Sequence, residues 1–143
     1  MKRGTPEHPK MRLLAKKLGV SLPQAIGTME LLWHWASRYA IQGNIGKWKN
    51  EIIAQAVYWD DDPDLLVNAL CDSGWIDADP VHRYVIHDIK DHADNTWRQN
   101  LVDAGLTWWD GSSPRNEKPG RPNKKTPGKL QGNSRDIPDN LVS

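Results

Sequence analysis

The chain of 143 residues has no phenylalanine, a single cysteine, and no apolar run approaching the ~18 residues that a membrane-spanning helix needs. The lone Cys71 excludes an internal disulfide and any cysteine-built zinc cage, which points to a reducing compartment such as cytoplasm. The basic start, Met-Lys-Arg-Gly-Thr-Pro-Glu-His-Pro-Lys, leads into no apolar segment and does not read as a signal peptide. Also missing are a Ser-His-Asp order, a glycine-rich phosphate loop and a paired-carboxylate pocket, so no enzyme, cofactor or small-molecule substrate is expected.

Charge is abundant but segregated. The formal net charge is only +1, yet residues 1–50 hold nine Lys/Arg against two Glu. Residues 60–95 hold ten Asp against Arg83 and Lys90. A polymer divided in this way has one region suited to polyanions and another that repels them.

Apolar periodicity supplies the elements. Pro9 suits a first helical position and Gly19 a position just past a helix end, with Met11, Leu13, Leu14 and Leu18 between them. Ser21 followed by Gln24 forms a capping box, and Leu22, Ala25, Ile26, Met29, Leu32, Trp33, Ala36 and Ala40 follow helical spacing up to Gly43. Ile45-Gly46-Lys47-Trp48 reads as a short strand. Asn50 then caps a helix with Ile52, Ile53, Ala56 and Val57 inward. Asp62 and Pro63 open a fourth helix that buries Leu65, Leu66, Ala69 and Leu70 and closes at Gly74. The period then drops to two over Trp75-Ile76-Asp77 and Tyr84 to Ile89, on either side of Ala78-Asp79-Pro80: a two-stranded antiparallel hairpin. A last helix spans about Asn95 to Ala104. Trp33, Trp48, Trp59, Trp75 and Trp97 take packing positions, whereas Trp108 and Trp109, at the edge of the domain, stand out as a candidate partner surface if exposed, or as a lower seal of the core if not.

The expected architecture is therefore α+β and mostly helical. Residues 1–109 make a winged helix-turn-helix domain with a two-stranded wing, followed by a disordered basic Pro/Gly-rich tail over residues 110–143. From Gly111 onward there are four glycines and five prolines, and no other apolar side chain before Leu130, too little burial to offset the entropy of ordering.

Several stretches resemble the N-terminal domain of phage and prophage replication-initiation proteins of the replisome-organiser type. They are His8-Pro9-Lys10 with Leu14 and Leu18, Gly27 with Leu31-Leu32-Trp33, the Gly43 to Gly46 turn, Ala69-Leu70 with Gly74-Trp75-Ile76-Asp77, and Ile86-His87-Asp88, together covering roughly residues 6–105. The resemblance implies a double-stranded DNA-binding domain that marks an origin and contacts replication proteins or itself. Such proteins commonly carry a further C-terminal domain, where this chain shows a short polar tail.

The helix from Asp62 would be the recognition helix, but Asp60, Asp61, Asp62 and Asp64 crowd its start. Carboxylates there favour the helix dipole and would repel phosphate in a groove. The better DNA-binding candidates are Lys10, Arg12, Lys16 and Lys17 on the first helix and Lys47 and Lys49 before the third, as phosphate contacts or else as a solvated basic face. In the tail, Gly120-Arg121-Pro122, followed by Lys124 and Lys125, resembles the Gly-Arg-Pro centre of minor-groove-binding AT-hooks, but Pro119 stands where that family has a preceding arginine, so the expectation for these cations is non-specific phosphate contact or else a solubilising linker. His82, His87 and His92 recur every five residues. That odd spacing sends His82 and His87 to opposite faces of a strand, so hydrogen bonding at the wing is expected of them and not metal ligation.

Overall fold

A computed structural model of the protein describes residues 8–115. The expectations for Arg121, Lys124, Lys125 and the rest of residues 116–143 lie outside these residues, whereas residues 110–115, expected to belong to a disordered tail, fold back on the domain: Asp110 accepts from Lys90 and Ser112, and Pro114 is buried.

Helix α1 (Pro9–Leu18) begins where the His8 ring accepts a hydrogen bond from the Lys10 amide, and ends at Gly19 in the left-handed region. It buries Met11, Leu14, Ala15 and Leu18. Helix α2 (Leu22–Tyr39) carries the expected capping box: Ser21 Oγ accepts from the Gln24 amide at 3.2 Å, and Gln24 Oε1 accepts from the Ser21 amide at 3.0 Å. It ends at Tyr39, one turn before Gly43, which sits in the following turn at φ 90°.

The strand expected at residues 45–48 is instead a short 3-10 helix, Ile45–Lys47. The Asn44 and Ile45 carbonyls accept from the Lys47 and Trp48 amides, so the backbone satisfies itself locally and needs no ladder. The turn still abuts the hairpin closely. A Cβ on Gly46 would stand 2.2 Å from the His82 carbonyl oxygen and 2.3 Å from the Tyr84 amide nitrogen.

Helix α3 (Asn50–Ala56) corrects two more expectations. Its capping position is Lys49, which makes no side-chain cap, and Asn50 is already helical. Its buried residues are Ile53 and Ala54, with Val57 just beyond it, while Ile52 is exposed and Ala56 half-buried. Helix α4 (Pro63–Asp72) starts as expected, the Asp62 carboxylate accepting from the Asp64 amide at 3.0 Å. It buries Leu66, Val67, Ala69 and Leu70; Leu65, expected inward, is 41% exposed.

Strands β1 (Ile76–Asp79) and β2 (Arg83–Ile86) pair antiparallel with Ile76 opposite Ile86 and Asp79 opposite Arg83. Strand β2 stops three residues short of the expected Ile89. Asp88 turns at φ 51° into the single-turn helix α5 (Ile89–His92). Ile89 is buried in a helix as it would have been in a strand, so alternation alone does not distinguish the two. Helix α6 (Asn95–Ala104) is capped by Asp94 and buries Trp97 and Leu101.

The result is an α+β arrangement, mostly helical, with one two-stranded sheet among the described residues. One hydrophobic cluster joins α1, α2, α3, α4, the hairpin and α6, and extends to Trp108. Among the described residues no helix is long and apolar enough to cross a membrane.

Candidate nucleic-acid interface

Helix α1 contains four cations and no acid. Packing of Met11, Leu14, Ala15 and Leu18 onto the core turns Arg12, Lys16 and Lys17 outward, where all three are exposed. None of the three forms an ion pair among the described residues. Lys10 is held differently: its Nζ stands 4.8 Å from the centre of the Trp75 ring, and Trp75 Nε1 donates to the Lys10 carbonyl at 3.1 Å. These contacts tie the start of α1 to the residues just after α4.

The second basic group sits at the other end of α4. Lys47, Lys49, Asn50, Glu51, Asp64 and Arg83 wall an open cleft of about 380 Å³. Arg83, in the left-handed region at φ 70°, is its anchor. The guanidinium donates to the Gly46 carbonyl at 3.1 Å, the Trp48 carbonyl at 2.6 Å and Asn50 Oδ1 at 2.9 Å, and lies over the Tyr84 ring. Asn50 Nδ2 in turn donates to Asp64 Oδ1 at 2.9 Å. A continuous chain of hydrogen bonds, Arg83 to Asn50 to Asp64, thus fixes the hairpin against the first turn of α4.

The basic residues singled out in the sequence therefore form two groups and not one patch. Lys10 lies by the C-terminal end of α4, and Lys47 and Lys49 lie by its N-terminal end, with the ten-residue helix, about 15 Å long, between them.

The acidic start of α4 is mostly engaged in local bonding. Asp61 accepts from the Asp62 amide at 2.8 Å, Asp62 caps the helix, and Asp64 holds Asn50. The outward face of α4 carries exposed Asp64, Leu65, Asn68 and Asp72, and no Lys or Arg occurs anywhere in the helix.

The histidines are bonded within the hairpin region. His82 Nδ1 lies 2.9 Å from Asp79 Oδ2 and His87 Nδ1 lies 2.8 Å from Asp77 Oδ2. Asp79 also accepts from the His82 amide, and that bond, followed by the one to the imidazole, holds its carboxyl below the ordinary range. His92 stacks on Trp33 at 4.9 Å. Among the described residues no group of three or more His, Cys, Asp or Glu is arranged to hold a metal.

Trp108 is only 1% exposed and forms part of the core, which corrects its reading as a partner surface: it seals the domain from below. Trp109 is half-buried, edge-on to His82, with its amide donating to the Gln42 carbonyl at 2.9 Å. A second cleft, about 240 Å³, lies between α2 and the α5–α6 region; Glu30, His34 and Asp94 line it with Trp33 and Trp97, and no Lys or Arg.

The sequence marks neither Arg83 nor Asn68 as functional, and it places Leu65 on the buried side of its helix. A lone arginine among aspartates was the one available sign of Arg83; the outward turn of Leu65 and Asn68 is set by tertiary packing. No protein-family model, curated protein or solved structure matches the chain.

Proposed function

We propose that residues 8–109 form a winged helix-turn-helix module that binds double-stranded DNA without catalysis, in phage or prophage replication initiation in the bacterial cytoplasm. The order α3, turn, α4, hairpin supports the winged arrangement, with the 3-10 turn packed beside β2 where such folds place a third strand. The replication setting rests on the sequence resemblance described above.

The observation that carries the reading is the outer face of α1: Arg12, Lys16 and Lys17, exposed, on a helix without a single acid, with no carboxylate partner among the described residues. Cations left unpaired in this way neutralise phosphates and release counterions. Lys10 at one end of α4 and Lys47 and Lys49 at the other add contacts along the duplex backbone. Titration of a fluorescent duplex tests this. With six phosphates neutralised, affinity falls roughly 10³-fold between 50 and 200 mM salt; affinity independent of salt contradicts the proposal.

A second reading, a protein-interaction or dimerisation module or a transcriptional regulator on the same scaffold, is favoured by the Asp60 to Asp64 cluster next to Tyr58, which is 81% exposed at φ 58°. Light scattering separates the binding modes: a dimer of unchanged mass and stability with and without duplex favours protein contact.

A further inference from the structure

We propose that α4 selects A·T base pairs in the major groove through Asn68 and Leu65, an inference that rests on the DNA-binding reading. Asn68 is exposed and its side chain makes no hydrogen bond within the described residues, so its carboxamide oxygen and both carboxamide hydrogens are available. Leu65, one turn earlier, is 41% exposed although Leu66, Val67, Ala69 and Leu70 bury the opposite side of the same helix. At a spacing of three residues the two side chains are surface neighbours and face the same way.

The chemistry of this pair is that of an A·T reader. A carboxamide donates to adenine N7 and accepts from its N6 amino group in one bidentate contact, and an aliphatic side chain packs on the thymine methyl. Guanine is chiefly recognised by Arg or Lys donating to O6 and N7 together, and Pro63–Asp72 contains neither. Helix α4 therefore offers guanine no contact of this kind.

Asp61 and Asp62 accept from backbone amides and Asp64 accepts from Asn50, while Asp72 stays exposed on the same face, so the attraction to phosphate comes from the flanking cations and α4 contributes the base contacts. Lys10 and the Lys47–Lys49 pair stand near opposite ends of α4, where they can meet phosphates beyond each end of the helix.

Fluorescence anisotropy with the full chain tests the inference, using labelled duplexes of equal length that are A·T-rich or G·C-rich, and an A·T-rich duplex with 7-deazaadenine, which lacks the N7 acceptor. The wild-type chain should prefer the A·T duplex by roughly 5- to 150-fold, the range for one bidentate contact. Asn68→Ala, an exposed position, should bring that ratio to within about two-fold while leaving the G·C affinity, the salt slope and the melting temperature unchanged. The 7-deazaadenine duplex should lose most of the preference with no change to the protein. Equal wild-type affinity for the two duplexes overturns the inference, as does a preference that survives Asn68→Ala or 7-deazaadenine. Loss of salt-dependent binding to every duplex overturns the DNA-binding reading itself.

Discussion

Gly46 is the position at which one methyl group should do the most damage. The Cβ of an alanine there would stand 2.2 Å from the His82 carbonyl oxygen and 2.3 Å from the Tyr84 amide nitrogen, both backbone atoms that no rotamer change can move. Restoring ordinary contact requires the 3-10 turn and β2 to separate by more than about 1 Å, at an overpacking cost of roughly 1–3 kcal/mol. The same displacement disrupts the bonds from Arg83 Nε to the Gly46 carbonyl and from the Ile86 amide to the Gly43 carbonyl, each worth about 1 kcal/mol. Gly46→Ala should therefore cost about 3–5 kcal/mol, a fall in melting temperature of roughly 13–22 °C for a domain of this size, measured by far-ultraviolet circular dichroism. Gly27→Ala is the matched control. Its Cβ meets nothing within 4 Å inside α2, and alanine should stabilise the helix by about 0.5–1 kcal/mol. A Gly46→Ala protein melting within about 2 °C of the wild type would refute the close approach.

Two further predictions concern the ties that position the outer segments. Asp110 accepts from Lys90 Nζ at 2.7 Å and from Ser112, and these bonds, the one to Lys90 foremost, hold its carboxyl far below the ordinary range. A depressed folded value stabilises the protein above the unfolded pKa of about 3.9, and the benefit is lost as pH falls below it. Asp110→Asn should thus lower the unfolding free energy at pH 7 by at most about 1 kcal/mol for so exposed a pair, with the gap to wild type closing below about pH 4; a gap that widens in acid contradicts this. Arg83→Ala and Asn50→Ala, which share a bond of 2.9 Å, should be non-additive in urea unfolding, with a coupling of about 0.5–2 kcal/mol; strict additivity would remove the proposed chain from hairpin to α4.

Elements with local end signals were legible in the sequence. The Ser21–Gln24 box, Gly19, the Asp62-Pro63 pair and the Trp97–Leu101 spacing each specify a helix with interactions a few residues apart, and each is found where expected. What failed depends on distant neighbours. Ile45 to Trp48 is too short for a period to declare itself, and its conformation follows from the β2 backbone pressing on Gly46. Asn50 looks like a cap and instead bridges Arg83 and Asp64, across 33 and 14 residues respectively. Trp108 lies beyond the last helix, where no pattern distinguishes a buried indole from an exposed one. For the candidate interface, the cations of α1 and their exposure followed from helical spacing. Their separation from Lys47 and Lys49 by the length of α4 did not, because it is a property of how the helices pack.

The claim that the outer face of α1 contacts phosphate is tested most directly by the slope of log affinity against log salt for one duplex, compared between the wild type and a variant with Arg12→Ala, Lys16→Ala and Lys17→Ala. All three are exposed and outside the core, so the fold should persist. The predicted result is a slope shallower by about 2.7, three phosphates at about 0.9 each. An identical slope in the two proteins contradicts the account.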